Sequence, residues 1–325
     1  GADGSEVTAV PDTGYHFTDW SDGILTAART DTNVTADKDV TANFAINSYT
    51  VSFVTDGTAG ANITGDTPQT INHGGNATQV TAEAPAHWHF VRWLLDDAEY
   101  STSESIAVTN VTSDMTLIAE FAIDTYTVCF ETDGTAGAII TGDTTQTIDH
   151  GSNATAVTAA APTHWHFVRW LLDDVEYSTD ATLSVTNVTE NMTFTAEFAI
   201  DTFTLTLLVT PEASGSITAN PEPGPGGKYD YGTVVTLTAT PSVCHTFDFW
   251  SGDAEGETNT VNVTITSDTS VTANFLRKRV LTLTIDPSEG GTVQANPEPG
   301  DDGKYVSGTV VTLTATANSG YSFGS

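Results

Sequence analysis

The feature that most constrains this chain of 325 residues is an internal repeat with a period of 77 residues. Four segments end alike, at the phenylalanines Phe44, Phe121, Phe198 and Phe275. Upstream of each lies the pattern F-x-x-W, at Phe17/Trp20, Phe90/Trp93, Phe167/Trp170 and Phe247/Trp250. Self-similarity at a fixed period is the signature of a tandem array. We therefore expect several small domains that contact their neighbours in sequence, rather than one large domain.

The repeats divide the chain into five parts. Two near-duplicates share the motifs TDGTAGA and ITGD, and another complete repeat carries NPEPGPGGKY. The last part starts like this third repeat and stops before its tryptophan, whereas the first part starts inside a repeat. The predicted parts are an N-terminal segment that is the later half of a repeat (1–46), a first complete repeat (47–123), a second complete repeat (124–200), a third complete repeat (201–276) and a C-terminal segment that is the earlier half of a repeat (277–325).

The residue pattern predicts β-structure throughout. Short runs of Val, Thr, Ile, Phe and Tyr alternate with polar residues and are separated by Gly, Asn, Asp and Pro, which is typical of strands joined by turns. The run VVTLTAT, at 234–240 and again at 310–316, fits a strand with one buried face. We expect an all-β array of small domains, each an Ig-like sandwich or a β-grasp-like sheet. The expected core aromatics are Trp20, Trp93, Trp170, Trp250, Phe44, Phe121, Phe198 and Phe275.

Three motifs resemble a known family. GYHFTDWSDG at 14–23, VTANF at 40–44 and GTVVTLTATANSGYSF at 308–323 are similar to the divergent internalin-type B repeat, also called the bacterial repeat domain. Its pattern is a G-T-x-V-T-L-T-A strand, then G-Y-x-F-x-x-W, then V-T-A-x-F. The first and second complete repeats depart from it, with His and Trp in place of Gly and Tyr. The resemblance implies β-rich modules of long bacterial and archaeal surface proteins, and it brings no catalytic residue.

The charge balance narrows the possible partners. The chain has 42 acidic and 9 basic residues, a formal net charge of −33, which disfavours nucleic acid and anionic membrane surfaces as partners. No run approaches the roughly 18 apolar residues of a membrane helix. The carboxylates either form a solvated surface or bind Ca²⁺ between repeats, with Asp96–Asp97 and Asp173–Asp174 as candidate ligands. No other cofactor is expected.

The stretch HWHFVRWLLDD occurs in both the first and the second complete repeat. Strand alternation would place Trp88 and Phe90 on one face and His87 and His89 on the other. The tryptophan is then predicted in the core and the histidines outside. Together with His73, the pair could instead bind zinc. Because the spacing suggests no fourth ligand, we favour a structural role and predict no metal site.

Asparagine-linked glycosylation is a further candidate. Eight N-x-T sequons are present, and for an exported protein each is an acceptor site. The alternative is that these asparagines are ordinary turn residues before β-strand threonines. The eight are Asn33, Asn62, Asn76, Asn110, Asn153, Asn187, Asn191 and Asn262.

The sequence does not indicate an enzyme. Cys129 and Cys244 are the two cysteines and occupy unrelated places in their repeats, so a disulfide framework is not expected. No glycine-rich phosphate loop opening a helix is present. We therefore predict no catalytic residue.

The favoured function is a structural, extracellular or cell-surface protein. One hypothesis is a filament or sheath subunit, in which the C-terminal segment of one copy completes the N-terminal segment of the next by strand complementation. The alternatives are a slice of a longer adhesin stalk or, less favoured, a carbohydrate-binding module. The expected partner is a second copy, with any surface ligand unidentified.

Overall fold

The computed structural model describes residues 1–324 and shows an all-β protein. The helical structure in this described part is one short 3-10 turn, Pro225–Gly227. No described segment forms a helix with the length and hydrophobicity needed to cross a membrane. The chain divides into two compact units. One comprises Gly1–Phe130, Gly142–Val157 and Ser184–Phe194, and the other Glu131–Thr141, Thr158–Leu183 and Thr195 onward.

The strands are numbered along the chain. The N-terminal segment contains β1 (Val7–Thr8), β2 (Tyr15–Trp20), β3 (Ala28–Arg29) and β4 (Ala42–Ile46). The first complete repeat contains β5 (Ser48–Thr55), β6 (Asn62–Thr64), β7 (Gln69–Asn72), β8 (Val80–Glu83), β9 (Trp88–Leu95), β10 (Ala98–Ser101), β11 (Ser105–Ile106) and β12 (Met115–Ile123).

The remaining strands follow the same plan. The second complete repeat contains β13 (Thr125–Thr132), β14 (Ile139–Thr141), β15 (Thr145–Asp149), β16 (Val157–Ala160), β17 (Trp165–Leu172), β18 (Val175–Ser178), β19 (Thr182–Leu183) and β20 (Met192–Ile200). The third contains β21 (Thr202–Thr210), β22 (Gly215–Asn220), β23 (Lys228–Asp230), β24 (Val234–Pro241), β25 (His245–Gly252), β26 (Thr260–Thr264) and β27 (Thr269–Arg279). The C-terminal segment contains β28 (Gly291–Asn296), β29 (Tyr305–Val306) and β30 (Thr312–Ala317).

Two sheets form the first complete repeat. The larger has the strand order β10-β9-β12-β5-β7, and the smaller has the order β11-β8-β6. The first and last strands of the repeat, β5 and β12, are neighbours and run parallel. The other strand pairs of this repeat are antiparallel. The first complete repeat is thus a two-sheet sandwich whose larger sheet is mixed. The strand patterns in the sequence had left this topology open.

The core of the first complete repeat lies between its two sheets. Val51, Phe53, Trp93 and Leu117 are buried from the larger sheet, and Val80 is buried from the smaller one. The Phe53 and Trp93 rings meet edge to face, with centroids 5.7 Å apart. Burying each large apolar side chain contributes about 1.5–3 kcal/mol, so this cluster is the main source of the repeat's stability.

A β-bulge explains the F-x-x-W pattern. In a regular strand, residues three apart point to opposite faces, and Phe90 and Trp93 would then separate. The register between β9 and β12 instead shifts by one residue here, pairing Phe90 with Phe121 and Arg92 with Glu120. The extra residue turns both rings to one side, with centroids 6.0 Å apart. The same shift occurs between β2 and β4 and between β25 and β27.

The other two complete repeats keep this architecture. The second has sheets β15-β13-β20-β17-β18 and β14-β16-β19, and the third has sheets β23-β21-β27-β25 and β22-β24-β26. Their tryptophans, Trp170 and Trp250, are buried. So are their closing phenylalanines, Phe198 and Phe275.

Phe44 does not lie in a core, contrary to expectation. It is 39% exposed, whereas its counterpart Phe121 is 6% exposed. The reason is that β12 lies between β9 and β5, whereas β4 pairs with β2 alone within the described residues. Trp20 is buried nevertheless, because the Arg29 guanidinium lies 4.9 Å from its ring centre. The strand registers place Arg29 where the first complete repeat has Ile106.

Candidate functional site

The junctions between repeats are the recurring site in this molecule. A single residue separates the last strand of one repeat from the first strand of the next. Asn47 lies between β4 and β5, Asp124 between β12 and β13, and Asp201 between β20 and β21. A one-residue linker leaves little freedom at the joint, so neighbouring side chains and backbone groups decide its geometry.

Asp124 is held by three hydrogen bonds. Its backbone N–H donates to the carbonyl oxygen of His87 at 2.8 Å, and its carbonyl accepts from the His150 N–H at 2.8 Å. Its carboxylate lies 2.9 Å from Nδ1 of His89. The linker thereby contacts both repeats that it connects, and each of its polar groups has a partner.

His87 reaches across the same junction. Its ring stacks on the ring of His150, with centroids 3.6 Å apart and planes 6° apart. The backbone of His87 is left-handed, with φ of 66°, which costs about 1–2 kcal/mol for a residue with a Cβ. This conformation explains why the pattern of related repeats has glycine here, and ring stacking offsets part of its cost.

The junction at Asp201 repeats the arrangement. The Asp201 N–H donates to the His164 carbonyl at 2.9 Å, and its carboxylate lies 2.9 Å from Nδ1 of His166. His164 is also left-handed and stacks on Tyr231, with centroids 3.5 Å apart. A tyrosine therefore replaces the second histidine without changing the stacked geometry.

In place of a stacked pair, the junction at Asn47 has a ring from the following repeat only. Gly14 occupies the left-handed position, and His73 lies against it so closely that any Cβ at Gly14 would overlap the imidazole. The Asn47 N–H donates to the Gly14 carbonyl at 2.8 Å, and its side-chain oxygen lies 2.8 Å from Nδ1 of His16. Glycine here gives the neighbouring ring its space.

Charged groups mark the junction that follows the third complete repeat. Cys244 takes the left-handed position, and its carbonyl accepts from the Lys278 N–H at 2.7 Å. The Lys278 ammonium lies 3.1 Å from Asp302, and this hydrogen bond holds the pKa of the Asp302 carboxyl below its ordinary value. Lys304 lies 3.2 Å from the Cys244 sulfur. Cys129 and Cys244 are both free thiols.

The HWH motif belongs to these junctions. The expectation that His87 and His89 share one strand face is wrong for His87, since β9 begins at Trp88 and His87 is a turn residue. His89 is exposed, and Trp88 packs against the core. Within residues 1–324, no three His, Cys, Asp or Glu side chains are grouped so as to hold a metal ion.

The acidic pairs form hairpin turns. Asp96 and Asp97 connect β9 to β10, and both are left-handed, with φ of 50° and 62°. Asp173 and Asp174 have the same angles between β17 and β18. Two consecutive left-handed residues are the requirement of a type I′ hairpin turn, for which Asp is one of the favoured residues. A local backbone requirement thus accounts for these acids, and calcium binding by them stays a prediction.

All eight sequon asparagines are exposed. Asn76 and Asn153 accept hydrogen bonds from the backbone N–H groups of Asn110 and Asn187, and Asn191 accepts one from Thr127. These three side chains therefore stabilise the fold whether or not they carry glycans. Glycosylation stays a prediction.

Fold and junctions together define a class: a tandem array of all-β domains with one-residue linkers at three of its junctions. The sequence matches the divergent InlB B-repeat domain family over residues 1–48, 49–125, 127–202, 205–279 and 281–325. The chain therefore belongs to this family, in agreement with the resemblance seen in its motifs. The positions of the repeat boundaries stay a prediction.

Likeness to solved structures is weak. The Bacillus anthracis TIE protein is 8% identical, with a TM-score of 0.31, and the match covers 84% of this chain and 67% of that chain. An I-band fragment of titin is 8% identical, with a TM-score of 0.12, over 70% of this chain and 94% of that chain. At these scores the likeness carries no argument about fold or function.

Proposed function

We propose that the chain is a structural segment of a cell-surface protein, without catalytic activity, that links other parts of that protein. The observation that carries this proposal is the recurring junction: a one-residue linker whose amide and side chain bond to the same positions at Asn47, Asp124 and Asp201. Family membership supports the surface location, since such repeats are typical of cell-surface proteins.

The junction is tested by measuring distances across it. Spin labels at the exposed positions Asn72 and Thr147, with the native cysteines replaced by serine, should give a narrow distance distribution. Asp124→Gly removes the carboxylate and adds backbone freedom, so it should broaden that distribution. Asp97→Gly, in a hairpin away from the junction, is the matched control. Distance distributions of equal width in the labelled parent protein, Asp124→Gly and Asp97→Gly would contradict a fixed junction.

The location is tested on cells that make the protein. Antibodies raised against the purified chain should label intact cells, and brief protease treatment of those cells should release its peptides. Labelling that appears only after the cells are broken open would contradict a surface role.

A second candidate is head-to-tail assembly through the two end segments. It is favoured by apolar side chains left exposed there, including Phe44 at 39% and Phe323 at 71%. In β-rich segments such surfaces require cover, either from further sequence of the same chain or from another copy. One constraint is that β1 and β30 both correspond to β8, the central strand of the smaller sheet. β1 pairs with β3 as β8 pairs with β11, and β30 pairs with β28 as β8 pairs with β6. Joining two copies would therefore require one of these strands to be displaced.

Mass measurement by light scattering, with electron microscopy of the same sample, tests this candidate. Long regular assemblies that disappear when residues 277–325 are deleted would support it. A monomer of 34.1 kDa at every concentration would eliminate it.

A further inference from the structure

The chain enters and leaves each complete repeat through one pair of hydrogen-bonded strands. In the first complete repeat, Val51–Thr55 of β5 pair in parallel with Met115–Ala119 of β12. In the third, Leu205–Thr210 of β21 pair in parallel with Thr269–Asn274 of β27. Because the strands are parallel, the incoming end of the first strand and the outgoing end of the last strand lie at opposite ends of the ladder.

Side chains extend this ladder at both ends. Before its first pair, the Thr50 N–H donates to the Asp114 carboxylate at 2.7 Å. Beyond its last pair, the Phe121 N–H, which the bulge frees from regular pairing, donates to the Asp56 carboxylate at 3.0 Å. The Asp56 N–H in turn donates to the Ala119 carbonyl at 3.0 Å. The hydrogen bonds that join the two strands thus extend beyond the paired residues at both ends.

Equivalent bonds occur at both ends of the pair in the second complete repeat and at the entry end in the third. In the second complete repeat, the Thr127 N–H donates to Asn191, and the Phe198 N–H donates to Asp133 at 2.9 Å. In the third, the Asp268 carboxylate accepts from both the N–H and the hydroxyl of Thr204. Different residues, Asp or Asn, therefore supply the acceptor at the entry end of the pair.

The one-residue linkers connect these pairs directly. β12 ends at Ile123 and β13 begins at Thr125, so a pull along the chain passes from the last strand of one pair to the first strand of the next. No flexible loop intervenes at Asp124 to take up the extension. The parallel pairs are therefore arranged in series along the covalent path of the chain.

We propose that each complete repeat is a shear clamp, and that the array is a tether built to carry tension. Pulling the two ends of a parallel pair slides its strands past each other, so the ladder bonds and the side-chain bonds at the ends of the pair must break together. In an antiparallel hairpin pulled from its open end, the bonds break one after another. Each bond contributes only about 0.5–1.5 kcal/mol, and simultaneous loading gives the clamp its resistance. Forced unfolding is governed by this barrier rather than by equilibrium stability.

Force spectroscopy on the full chain, held by its two ends, tests the proposal. Each complete repeat should unfold in a separate event that releases about 28 nm, given 77 residues at about 0.36 nm each. Three such events at high force are expected, one for each complete repeat. Val54→Pro, which removes an N–H that faces β12, should lower the force of one event by at least about half and leave the other two unchanged.

The matched control is Glu99→Pro, in the edge strand β10 of the same repeat and outside the parallel pair. It should leave all three events at high force. If hydrogen exchange shows that Val54→Pro prevents folding, Asp114→Ala replaces it, with Asp97→Ala as its control and the same criterion. Wild-type repeats that yield without a force peak would overturn the proposal. So would equal force losses in the clamp variant and its control.

Discussion

Residues 234–240 and 310–316 have the same sequence, VVTLTAT, and different surroundings. In the third complete repeat, Leu237 is fully buried, and β24 has a neighbour on each side, β22 and β26. In the C-terminal segment, the equivalent Leu313 is 47% exposed, and β30 pairs with β28 alone among the described strands. The pattern therefore specifies a strand with one apolar face, but burial of that face depends on strands that come later in the repeat.

The largest expected effect concerns the position shared by Ile106 and Arg29. Arg29 is buried in the N-terminal segment and makes ion pairs with Asp22 and Asp31. Ile106 lies instead in an apolar cluster, so Ile106→Arg would bury a charge among apolar side chains and should cost about 4 kcal/mol or more. Hydrogen exchange should show loss of protection throughout the first complete repeat, with the third repeat as internal control. Unchanged protection would show that the repeat is less tightly packed than its burial indicates.

The next effect tests the two identical runs directly. Leu237→Ala should destabilise the third complete repeat by about 3 kcal/mol, because it leaves a cavity in a closed core. Leu313→Ala should change stability by less than about 0.5 kcal/mol, since the side chain is half exposed. Hydrogen exchange of the third complete repeat gives the first value, and hydrogen exchange of the C-terminal segment gives the second. Equal losses would mean that the C-terminal segment has a covered core in solution.

A smaller effect compares the left-handed junction residues. Gly14 and Gly320 fill this position in the end segments, whereas His87 fills it in the first complete repeat. His87→Ala keeps the strained backbone and loses the stack on His150, so it should cost about 1 kcal/mol. His87→Gly loses the stack but relieves the strain, so it should lie within about 0.5 kcal/mol of the wild type. Thermal unfolding measures both, and an alanine variant more stable than the glycine variant would contradict this account.

The smallest effect is a pH dependence at Asp56. Burial raises the pKa of this carboxyl. Hydrogen bonds from Phe121 and Thr58 lower the pKa by more than burial raises it, so the pKa lies below the ordinary 3.8. Stability from a carboxyl with a depressed pKa is present above the unfolded-state pKa of about 3.9 and is lost as the pH falls through the folded-state value. Asp56→Asn should flatten the acid dependence of the first complete repeat. The second complete repeat, whose Asp133 also has a lowered pKa, is the internal control. If the first complete repeat had the same acid profile in the wild type and in Asp56→Asn, Asp56 would not contribute to the acid dependence.

Much of the fold could be predicted from local patterns. The 77-residue period predicted a tandem array, and alternation such as that of VVTLTAT predicted β-strands, because a strand repeats every two residues. Alternation does not encode which strand is the neighbour, so the parallel pairing of β5 with β12 could not be predicted. The bulge was hidden for a related reason: F-x-x-W reports two core rings, but only the register shows how both reach one face.

The junction was missed although a signal for it was present. His87 and His164 stand where the repeat pattern has glycine, as at Gly14 and Gly320. A position that is usually glycine often requires positive φ, which would have placed these histidines in a turn rather than on a strand face. The rings that stack on them, His150 and Tyr231, lie more than 60 residues further along the chain, and no local pattern links such distant positions.

Hydrogen exchange of the two identical runs, in one dilute sample of the 325-residue chain, shows whether a repeat is sheltered only when strands from both of its halves are present. We expect strong protection of amides 235–239 and fast exchange of those amides of 311–315 that do not face β28. Equal, strong protection of both runs at a concentration where the chain is monomeric would contradict this expectation.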